Sequence, residues 1–90
     1  MVSKKSLIIS EYCKMINQLR EHKIINIFPS FENVSDIIFY FSYTFVMNCN
    51  HPPEKIEEIL ELNHYKIEDD IEFGKVCDII IEFINLLNSL

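Results

Sequence analysis

The sequence predicts an all-α fold, a compact antiparallel bundle of about four helices, and three observations lead there. Apolar residues recur at helical spacing through most of the chain. Gly74 is the only glycine, too few for the left-handed turns that a multi-hairpin β protein needs. The prolines, Pro29, Pro52 and Pro53, fall between the periodic segments rather than inside them. The expected helices cover roughly 3–23, 30–48, 52–62 and 68–88. Ninety residues with 49% hydrophobic content suit a single domain, 1–90, with a core of its own.

The first helix is marked by Ile8, Tyr12, Met15, Ile16 and Leu19, which share one face. Ser3 or Ser6 is placed to cap it, and Arg20 and Lys23 near its end suit the macrodipole. The second follows Pro29, with Ser30 as the expected N-cap and Val34, Ile37, Ile38, Phe41 and Phe45 as its face. Here a rival pattern exists. Ile37, Phe39, Phe41, Tyr43 and Phe45 also alternate with period two, in a β-prone composition. Only "KIINIF" (23–28) could pair with such a strand, and an isolated two-stranded unit is marginal, so a helix is expected.

The third helix opens at "HPPE", since proline fits a first helical turn. Ile56, Ile59 and Leu60 form its apolar stripe, and "NHY" makes the turn after Leu62. The fourth begins at "EDD" and is apolar nearly all round, which predicts a central position. Gly74 inside it costs about 1 kcal/mol against alanine, an expense that close approach of another helix would explain.

Net charge is -6, and it is unevenly held. Residues 1–45 balance at +1, with Glu11, Glu21, Glu32 and Asp36 against five lysines and arginines. Residues 46–90 balance at -7. On a helical wheel Glu54, Glu57, Glu58 and Glu61 form a ridge opposite Ile56, Ile59 and Leu60, and Glu68, Asp69, Asp70 and Glu72 arrive at the next helix start. Acids at a helix N-terminus are stabilising, which accounts for Glu54, Glu57, Glu68, Asp69 and Asp70, one of the last two being a possible N-cap. Glu58 and Glu61 stand toward the C-terminal end, where the dipole disfavours them and like charges at i,i+3 or i,i+4 repel. The two readings are a solvated face and a surface for a basic partner. Such a surface repels nucleic acid and membranes. Tyr65, between the clusters beside His64, reads equally as an interface anchor or as cover for a helix–helix corner.

Signatures of chemistry are sparse. "CNH" (49–51) brings Cys49 near His51, but no CxxC, HxxxH or HExxH spacing accompanies it, so no metal or other cofactor is expected. "DDIEFG" does not fit a calcium loop, because Ile71 would occupy a ligand position. One glycine excludes a P-loop, a dinucleotide fingerprint and a G-x-S-x-G elbow, and the expectation is a non-enzyme. Cys13 and Cys77 read as core thiols. Three cysteines do not make a disulfide scaffold, "MVSKKSLIIS" lacks a signal-peptide core, and "IIFYFSYTFVM" (37–47) is about half a membrane span. These point to a cytoplasmic chain.

"HYKIEDDIEFGKVCDIIIEF" (64–83), about a quarter of the chain, resembles the end of colicin D-type immunity proteins. Those are small helical bundles in which a Tyr-x-Ile-acid-acid turn leads into a final apolar helix; the matching positions are Tyr65, Ile67, Glu68 and Asp69. The resemblance implies an immunity protein, of the kind also found in contact-dependent inhibition, that binds a basic toxin nuclease and occludes its RNA-binding site with carboxylates. Glu58, Glu61, Glu68, Asp69, Asp70 and Glu72 would then meet lysine or arginine on the toxin. Tyr65 would anchor, and Glu54 and Glu57 would add long-range field. Two alternatives stand beside it. One is a small acidic chaperone or adaptor that holds an apolar client through Phe39, Tyr40, Tyr43 and Val46. The other is a homodimeric regulatory protein using the same residues.

Overall fold

The structure, a computed structural model, describes residues 3–47 and 51–90, with the side chains of 46 and 47 outside that description. It is an all-α bundle of four helices: α1 (Lys4–Glu21), α2 (Val34–Phe41), α3 (Pro52–Leu62) and α4 (Asp70–Ser89). A π-helical segment, Ser42–Met47, continues α2. α4 packs against both α1 and α3, while α2 lies on α1 and the π segment on α3. The radius of gyration, 12.9 Å, is close to the value of about 12 Å for a compact chain of this length.

α1 starts where the Ser3 hydroxyl accepts the Ser6 N–H at 3.1 Å, and it buries Ile8, Met15 and Leu19. It stops at a left-handed residue that is not glycine. Lys23 has φ 64°, its N–H reaches Arg20 O at 2.8 Å, and the Ile24 N–H reaches Leu19 O at 2.9 Å. This is the paired reverse bonding of a Schellman motif. α3 ends the same way. His64 has φ 65°, bonds back to Glu61 O at 3.0 Å, and is followed by Tyr65 N–H to Leu60 O at 2.8 Å.

The second helix begins later than its expected cap. Asn33, not Ser30, is the N-cap, its side chain accepting the Asp36 N–H at 3.0 Å. The reason is tertiary: residues 29–33 remain non-helical, and Phe31 lies edge-on to Tyr12 at 5.5 Å and against Tyr40 at 5.5 Å. Burial decides between helix and strand for 37–45. Phe41 and Phe45 are buried at 1% and 3% exposure, while Phe39 and Tyr43 stand out at 72% and 58%. A strand would put all four on one face; a helical backbone separates them.

Phe41 is the centre of the core. Rings of Tyr12, Phe28, Tyr40, Phe45 and Phe83 surround it at centroid distances of 5.0–6.1 Å. α4 contributes Val76, Cys77, Ile80, Phe83 and Ile84 to the interior, with Ile79, Ile81 and Leu86 packed at its margin. Ile71, Lys75, Asp78, Glu82, Asn85 and Ser89 form the stripe it leaves to solvent.

Two expectations are corrected. Gly74 is not a point of close helix approach, since a Cβ there would meet nothing within 4 Å. Cys13 is exposed and not core, because it lies about 100° round the helix from Tyr12; Cys77 is buried as expected. Cys49 falls outside the described residues.

Truncating Phe41 to alanine removes a ring held on every side and is expected to cost about 3–5 kcal/mol. Gly74→Ala is expected to add about 1 kcal/mol. Urea denaturation of the two variants measures both, and their signs must be opposite.

Candidate functional site

The eight carboxylates between Glu54 and Glu72 do not act as one group. Asp69 is the N-cap of α4, its side chain accepting the Ile71 N–H at 2.9 Å. Glu72 turns away to α1, where His22 Nδ1 sits 2.5 Å from its Oε1; the carboxylate can only accept, so the ring nitrogen donates. Glu58 pairs with Lys55 at 3.3 Å and Glu68 with Lys66 at 3.8 Å, the latter between side chains over four-fifths exposed and therefore weak.

Glu57, Glu61 and Asp70 are different. None of them forms an ion pair among the described residues, and all three line a cleft of about 160 Å³ between α3 and the start of α4. Leu60, Tyr65, Ile67 and Phe73 supply its apolar walls, and Lys66 is its one cation. Glu57 and Glu61 reach it together because they are one helical turn apart. Asp70 reaches it because the His64 turn reverses the chain.

Tyr65 is held by its hydroxyl, which donates to Ile25 O and accepts from Ile25 N–H, both at 3.0 Å. It clips the α3–α4 turn to the segment after α1, and its side chain lines the cleft. The structure thus gathers Glu61, Tyr65 and Asp70, pairs Glu68 with the cleft-lining Lys66, and gives Glu58, Asp69 and Glu72 partners elsewhere. Glu57, Ile67 and Phe73 were not expected at the site. The i,i+4 spacing of Glu57 and Glu61 was the available signal for the first; the others depend on the turn.

Behind α3, burial pushes the Cys77 thiol up from 9.0 to about 11, with the charges of Asp78 and Glu57 adding to it. Burial likewise raises the Tyr12 phenol to about 12, helped by Tyr40 and Cys13. Tyr40 is also raised by burial, partly offset by the Thr44 hydroxyl beside it. Among the described residues, no group of three His, Cys, Asp or Glu side chains is arranged to hold a metal ion, and no helix is long and apolar enough to cross a membrane.

A second opening of about 480 Å³ lies over α2 and the π segment, lined by Phe31, Asp36, Phe39, Tyr40, Tyr43 and Thr44. Phe39 and Tyr43 stack there at 6.1 Å with planes 10° apart. Tyr40 is half-buried, and Val46 has no described side chain.

The raised thiol sets a pH dependence. Below pH 9 it is protonated folded and unfolded; between about 9 and 11 only the unfolded chain ionises, so stability falls as pH rises. A Cys77→Val variant is expected to lose less stability than the parent between pH 8 and pH 10.5 in paired urea titrations.

Comparison with protein-family models, with curated proteins and with solved structures finds no match to this chain.

Proposed function

We propose that the chain is a non-catalytic binding protein that presents the α3–α4 cleft to a basic protein partner. The reading is carried by one observation: Glu57, Glu61 and Asp70, from two helices, edge a cleft without an ion pair among the described residues. Like charges so placed repel one another, and no ion pair among the described residues offsets that. A cationic partner would. The finer form of the proposal is an immunity protein, whose carboxylates take the place of RNA phosphates in the active site of a toxin nuclease. The "HYKIEDDIEF" resemblance and the acidic surface support it. Glu61 and Asp70 make the central contacts, Glu58 and Glu68 add to the rim, Tyr65 positions the corner, Asp69 caps α4 and Glu72 ties it to His22.

A specific observation favours a second reading. The exposed Phe39–Tyr43 stack over an open apolar cleft suits an adaptor that holds an apolar client, or a second copy of the chain.

Capture from a lysate of the source cell, eluted by a salt gradient, separates the readings. Steering by carboxylates predicts release by salt, because charged encounters are screened. The double variant Glu61→Lys/Asp70→Lys takes the net charge from -6 to about -2 and is expected to slow association roughly tenfold or more at low salt. Capture that ignores both salt and these substitutions, and is lost in Phe39→Ser, would replace the first reading by the second.

A further inference from the structure

We infer that the α3–α4 cleft is a socket for a single arginine side chain of the partner. The inference rests on the proposal that this face meets a basic protein, and it says what enters. At about 160 Å³ the cleft is below the range of roughly 300–1,000 Å³ usual for small-molecule sites, so it accommodates one side chain rather than a ligand of several rings. Its composition is graded. Leu60 is buried beneath it, and Ile67 and Phe73 are half-buried in its walls, an environment for the methylene stem of a long cationic residue. Glu57, Glu61 and Asp70 meet the head group. Lys66 also lines the cleft, but its ammonium is paired with Glu68 and largely exposed, so even with Lys66 counted against the three carboxylates the cleft keeps an excess of two negative charges.

Arginine fits better than lysine for two reasons. The planar guanidinium can bond more than one carboxylate at once, and the cleft takes its carboxylates from both α3 and α4. It also stacks on aromatic faces, and Tyr65 and Phe73 both line the cleft. Because the Tyr65 hydroxyl is engaged by Ile25, this aromatic wall of the cleft is tethered before anything binds. Such a preorganised aromatic wall lowers the ordering cost of association, and buried arginines are frequent energetic centres of interfaces.

The test needs no natural partner. The isotope-labelled protein is titrated by NMR with acetyl-Gly-Arg-Gly-amide, and then with the same peptide carrying lysine or norleucine. The expected result is saturable shifts confined to Leu60, Tyr65, Ile67 and Phe73, several-fold weaker binding of the lysine peptide, and none of the norleucine peptide. In Glu61→Gln/Asp70→Asn, with unchanged helical circular dichroism, binding is expected to fall at least tenfold. Shifts spread evenly over Glu54, Glu58 and Glu68, or equal response to arginine and lysine, would overturn the socket. A salt-sensitive protein captured from lysate alongside such diffuse shifts would overturn the socket alone and leave the acidic interface standing. Failure to capture any basic protein, with local arginine shifts intact, would overturn the functional reading and not the socket.

Discussion

The fold depends on Phe41. One ring at 1% exposure touches rings from α1, the segment before α2, α2 itself, the π segment and α4. A chain of ninety residues cannot build a wide core, so concentrating area in aromatic side chains is an effective way to join α1, α2, the π segment and α4. Edge-on and tilted pairs dominate around Phe41, the geometries that ring quadrupoles favour. The π segment belongs to this arrangement: it continues α2 directly from Phe41 and places Phe45 parallel to it at 5.7 Å.

Away from the core, the acidic corner is assembled by polar links. Two Schellman turns at Lys23 and His64 end α1 and α3 alike, and each sends its next residue inward as Ile24 and Tyr65. The two turns are then joined, Tyr65 to the backbone of Ile25 and His22 to Glu72. The cleft is therefore a product of how two helices stop. Its carboxylates stand on rigid elements while the turn between them is clamped from the other half of the chain.

Much of this was legible in the sequence, and what was not has a common cause. α3 runs as expected because Pro52 and Asn63 mark both of its ends, and the ridge of Glu54, Glu57, Glu58 and Glu61 is exposed opposite Ile56, Ile59 and Leu60 as helical spacing requires. Local chemistry sufficed for these. Asn33 displaced Ser30 because Phe31 is drawn to Tyr12, a contact invisible along the chain. The left-handed positions carry Lys23, Asn26 and His64, so the usual glycine signal was absent, while Gly74 sits in a helix with open space beside it. Of the site residues, Glu61 and Asp70 were found by charge. The roles of Tyr65 and Glu72 were hidden, since their partners lie 40 and 50 positions upstream.

That separation bears on the order in which the molecule is assembled. The contacts within each helix and its cap are local and form early, whereas the Tyr65–Ile25 and His22–Glu72 links must first close long loops and bear the entropy of doing so. Both sit at partly exposed positions and stabilise modestly. The corner that carries the cleft therefore locks after the helices it joins, once its two long-range links close.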